Sequence, residues 1–247
     1  MSRKSGDELQ EHMLGTYFSL RVGLAAIGIA LPIVVFAAGW FNCGAWFEGS
    51  ISAYYHTSEH HTCAVPTFIP RDLFVGGLFA VATCLYLYKG YSTAENVALN
   101  LAGVAAAVVA LFPTAKVHPV HVTAAVLFFV CIAYVSLFRS HSTLDQLPEA
   151  KRPFYRRSYR TTGILMILMP LAAILLDLAK QDPGGIKIFW AETFGVWAFA
   201  AYWMIKTAEM HESEAEKLAA AAVLPPSGEP VREPAKGTGA PVAAGAA

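Results

Sequence analysis

The chain alternates long, almost purely apolar runs with short polar connections. The runs fall at residues 17–40, 72–89, 96–112, 119–138, 161–178 and 188–205. A bilayer hydrocarbon core of about 30 Å is crossed by roughly 20 apolar residues in a helix. Each run is apolar all round, without the alternation of a barrel strand. In lipid the backbone groups must pair within the segment, which selects helices. The pattern therefore predicts an all-α fold, an integral membrane bundle of about six transmembrane helices. The second, third and sixth runs are short, so their ends are the least defined.

The polar stretches divide the rest. Residues 1–16 read as a cytoplasmic N-terminal segment, 17–206 as the transmembrane domain, and 207–247 as a charged, helical extension followed by a Pro/Ala/Gly-rich tail. Such a tail cannot bury a core. The first apolar run exceeds the roughly 7–15 residues of a signal-peptide core, so it reads as a retained span. Composition agrees: 55% of residues are hydrophobic and only 15% charged, against about 25% charged in soluble domains. The formal net charge is +0, which gives no global field for nucleic acid.

Orientation follows the cations in the short loops. Arg139, Lys151, Arg152, Arg156, Arg157 and Arg160 lie between the fourth and fifth runs, and Lys89, Arg3 and Lys4 fall on the same side by alternation. The opposite connections hold only Arg71, Lys116, Lys180 and Lys187. Both termini are expected to be cytoplasmic, in a bacterial inner membrane, with the other face periplasmic. Arg21 is expected to snorkel to the inner interface.

Chemistry concentrates on the face opposite the termini. His56, His60, His61, His118 and His121 lie in its connections, and the second, fourth and sixth spans begin there. The positive end of a helix dipole favours Asp72 and Glu192 as carboxylates and keeps His118 and His121 neutral. Pro119 suits a first helical position, which sets His118 and His121 three residues apart on one face. With His56 and Asp72 they form a candidate zinc site, the metal ligands being His56, His118 and His121. Ser52, Asp72 and Glu192 are the candidate catalytic groups, Glu192 as proton shuttle. Arg71 and Tyr55 are candidate ligand-binding residues, Arg71 for a lipid phosphate. The plainer readings are that His60 and His61 beside Glu59 form a solvated loop, that Asp72 caps a helix, and that Tyr54 and Tyr55 belong to an interfacial belt. His121 and Glu192 stand deeper, where ionisable groups are costly and tend to be functional. Cys43 and Cys63 share the first connection and either bond, if that face is oxidising, or remain free.

The stretches SISAYYHT (50–57), RDLFVGGLFAVATCLYLYKGY (71–91), NLAGVAAAVVALFPT (100–114), HVTAAVLFFV (121–130) and FWAETFGVWAFAAYW (189–203) resemble small bacterial membrane proteins grouped with the DUF998 and Frag1/DRAM/Sfk1-like families. The resemblance implies a six-span bundle and supplies no activity. A more distant likeness is to membrane-embedded metal hydrolases of the alkaline ceramidase type, which use a Ser, an Asp and three His at one face. Ser50 or Ser52, Asp72, His56, His118 and His121 would take those parts. This chain has H-x-x-H and about six spans where those enzymes have H-x-x-x-H and seven. Two readings stand: a metal-dependent lipid hydrolase or lipid-remodelling protein, or a non-catalytic sensor, accessory subunit or small transporter. In the second, the same cluster binds a ligand or membrane lipid.

Overall fold

The computed structural model describes residues 6–64, 69–180 and 184–213. Six long helices account for most of them: α1 (Gly6–Cys43), α2 (Ile69–Leu87), α3 (Thr93–Leu111), α4 (Thr114–Tyr134), α5 (Arg152–Leu178) and α6 (Ile186–Ser213). All six contain a stretch long and apolar enough to cross a membrane, and the protein is an all-α multi-pass membrane bundle. A 3-10 turn (Ser52–His56) and one helical turn (Thr57–His60) lie between α1 and α2. After α4 the chain passes through a π turn (Val135–Arg139) and a 3-10 turn (Ser140–Gln146) before α5.

The helices outrun the apolar runs that mark them. α1 begins at Gly6, inside the polar N-terminal stretch, and α6 continues to Ser213, past the end of the sixth run. Residues such as Glu, Gln and Lys are good helix formers, so a span need not stop where its hydropathy does. The charged extension predicted after residue 206 is helical as far as Ser213; the Pro/Ala/Gly-rich tail lies outside the described residues.

The packing makes a closed ring. α1 lies against both α2 and α6, and α2–α3, α3–α4, α4–α5 and α5–α6 pack in sequence. Small residues bring neighbours close: a Cβ on Gly103 of α3 would stand 2.8 Å from the Ala82 carbonyl oxygen of α2. Close backbone approach of this kind holds helices together in lipid, where apolar burial gives little drive. Val97 and Val104 of α3 and Leu168, Leu171 and Leu175 of α5 are exposed. Apolar surface on that scale suits lipid rather than water.

The ring has two ends of different character. One carries the loops after α2 and α4; call it the basic end. The other carries the loop joining α1 to α2, in which Cys43 and Cys63 are disulfide-bonded. The core near the basic end contains Tyr88, Tyr159, Tyr202 and Trp203. A second core lies towards the disulfide end and includes Leu31, Val35, Tyr54, Phe74, Val109 and Phe189.

Three expectations change here. Arg21 does not snorkel to an interface; it is 1% exposed, inside the bundle. Tyr54 is not an interfacial belt residue: it is fully buried against Phe189 and donates its hydroxyl to the Trp46 carbonyl at 3.2 Å. Burial, then the nearby Glu48 carboxylate, pushes that phenol up to about 12, so it stays a neutral donor. Pro119 is not a first helical residue, because α4 already starts at Thr114 after Pro113 in an extended conformation.

Candidate functional site: a cavity at the disulfide end

The ring does not fill its own centre at the disulfide end. A cavity of about 800 Å³ remains there, within the range of small-molecule sites. Its depth is apolar. Leu31 of α1, Phe74 and Leu78 of α2, Ala106 and Val109 of α3, Ala125, Phe128 and Phe129 of α4, Ala173 of α5 and Val196 of α6 supply the wall. Its polar residues are Glu48, Ser50, Ser52, His118, His121, Asp177 and Glu192.

Loops partly roof the cavity. Gly49 and Gly185 both have positive φ (89° and 68°), a conformation that glycine adopts without cost. They meet backbone to backbone: a Cβ on Gly185 would overlap the Gly49 Cα. Glu192 fastens the same roof, its Oε2 accepting from the Ile51 N–H at 2.7 Å. Glu48 is held by His61, Nε2 to Oε1 at 2.8 Å. The disulfide closes the loop that carries Glu48 to Ser52.

The candidate residues divide into two groups. Ser52, His118, His121 and Glu192 line the cavity. His118 faces Asp177, Nε2 to Oδ2 at 3.9 Å, with both side chains exposed. His121 is 5% exposed. Its Nδ1 lies 2.7 Å from the Phe112 carbonyl oxygen, which can only accept. Nδ1 therefore donates, and the neutral ring is an acceptor at Nε2. The Ser52 hydroxyl pairs with that of Ser50 at 3.1 Å, and Ser50 also accepts from the Ala53 N–H at 3.0 Å.

Tyr55, His56, Arg71 and Asp72 form the second group, outside the cavity lining. The Arg71 guanidinium sits 5.8 Å over the Tyr55 ring, and its Nε lies 3.4 Å from Asp72 Oδ1. Tyr55 packs on the His56 ring. His56 is buried, with Nδ1 3.1 Å from Glu59 Oε2. Among the described residues, no group of three or more His, Cys, Asp or Glu side chains is arranged to hold a metal ion. Only His118 and His121 share the cavity, and His56 stands outside its lining, so the three expected zinc ligands do not gather.

Sequence reading passed over two lining carboxylates. Glu48 sits in a loop with no pattern to mark it. Asp177 was legible as a lone acid in the apolar run LLDLA. It also missed a buried ionic network at the basic end. Lys206 (1% exposed) and Glu209 (0% exposed) pair at 2.9 Å. Lys206 also donates to Thr143 Oγ1 at 3.0 Å, and Tyr159 donates to Glu209 at 2.6 Å. Glu95 is buried nearby, accepting from the Tyr91 N–H at 3.0 Å. Arg139 donates to Ser92, the cap residue of α3, at 2.7 Å. Elements from four parts of the chain are joined there, which suits closure of the ring.

Comparison of the chain with protein-family models, curated proteins and solved structures finds no match.

Proposed function

We propose that this protein is a membrane-embedded binding protein for a lipid or other amphiphile, working as a sensor or accessory subunit. The observation that carries this reading is the cavity, with an apolar wall on all six helices and polar side chains gathered around its roof loops. A tail would lie among Phe74, Ala125 and Ala173, and a head group among Ser50, His118 and Asp177. Binding is favoured over hydrolysis because Ser52 is paired with Ser50 and Asp72 stands off the cavity. It is favoured over transport because the aromatic core and ionic network fill the ring at the basic end.

Filling the wall tests this. Ala125→Trp should abolish the thermal stabilisation that an added single-chain amphiphile gives the purified protein. Val130→Trp, on the exposed side of α4, should leave it intact. Equal stabilisation of both variants would refute the proposal.

The disulfide end is proposed to face the periplasm of a bacterial inner membrane. A Cys43–Cys63 bond persists in an oxidising compartment, and the cation-rich loops lie at the other end. In a chain without Cys84 and Cys131, Gly184→Cys should react with an impermeant thiol reagent in intact cells. Glu149→Cys should react only after lysis. The reverse pattern would contradict this orientation.

A further inference from the structure

Given the binding reading, the charge of the lining narrows the ligand. We infer that the cavity takes a cationic amphiphile, a long apolar tail ending in a protonated amine. Its ionisable lining consists of Glu48, Asp177 and Glu192 with the imidazoles of His118 and His121; among the described residues no Lys or Arg lines it. Lys180 and Lys187, which flank the last connection, are exposed and outside the lining.

The remaining polar groups reinforce the sign. His121 is held as an acceptor at Nε2 by the Phe112 carbonyl. The Ile51 N–H, a donor beside the cavity, is taken by Glu192. A carboxylate or phosphate head would thus meet carboxylates and acceptors, with no lysine or arginine among the described lining residues to offset them. Screening is weak around the largely covered Glu48, so repulsion is felt there at short range, while the exposed Asp177 marks the mouth at which a charged head would enter. An ammonium has three donors and a charge of the matching sign. It can reach Asp177 and the serine hydroxyls while its tail covers the aromatic wall.

The test compares three ligands of equal tail length, a primary amine, an alcohol and a carboxylic acid. Binding is measured on the full-length protein in an uncharged detergent at about pH 8, above the ordinary imidazole range. The amine should bind at least about tenfold tighter than either other ligand, and Asp177→Asn should narrow that ratio without unfolding the protein. An acid or alcohol that binds as tightly as the amine would overturn the cationic head while leaving the binding cavity standing. An amine preference that Asp177→Asn and Glu48→Gln both leave unchanged would overturn the assignment of the head group to these carboxylates. Failure of all three ligands would overturn the binding reading itself.

Discussion

Lys206→Met should lower the stability of the purified protein by about 3–5 kcal/mol, the range for breaking a buried ion pair from one side. Lys206 and Glu209 are both essentially inaccessible, and they sit one turn apart on α6. Removing the ammonium leaves the Glu209 carboxylate buried, with the Tyr159 hydroxyl still donating to it. Desolvation of that charge is then uncompensated. The double variant Lys206→Met/Glu209→Leu should recover much of the loss, since no lone charge remains. Unfolding by a denaturing detergent in mixed micelles measures both. A single variant within about 0.5 kcal/mol of the parent, the usual scatter of neutral surface changes, would show that the network does not hold the ring closed.

Gly185→Val should have the second largest effect, and it should fall on the cavity roof. The φ of 68° at Gly185 costs a branched side chain about 1–3 kcal/mol before any contact is counted. The Cβ position overlaps the Gly49 backbone, so one loop must move. The roof should open, with faster ligand release and a lower unfolding temperature. Gly184→Val is the control, because a Cβ there meets nothing within 4 Å. Matching release rates and unfolding temperatures for the two variants would show that the contact between the loops is incidental.

These two sites show where sequence and structure part. Hydropathy marked all six spans, because lipid as solvent demands apolar side chains around a helix. It misplaced the N-terminal end of α1 and the C-terminal end of α6, because polar residues continue a helix as readily as apolar ones. Glu192 stood out as an acid inside an apolar run, yet its contact is a backbone N–H 141 residues away, beyond any local pattern. Tyr54 resembled an interfacial residue by its neighbours and became core because Phe189 lies across it. The Lys206–Glu209 pair was present as a spacing of three on one helix face. It was hidden because it falls just where the apolar run ends and charges are expected to be solvated. The histidines were legible as a group on one face of the membrane. Their division between a cavity and a separate aromatic stack was not, since it depends on where the 3-10 turn that carries His56 packs relative to α4.

Native mass spectrometry of the protein released from its own membrane in mild detergent reads the occupancy of the cavity directly. One tightly held amphiphile per chain is expected in the parent and in Val130→Trp, and none in Ala125→Trp. A parent chain that flies free of any lipid, or an Ala125→Trp chain that carries the same adduct, would contradict the binding reading.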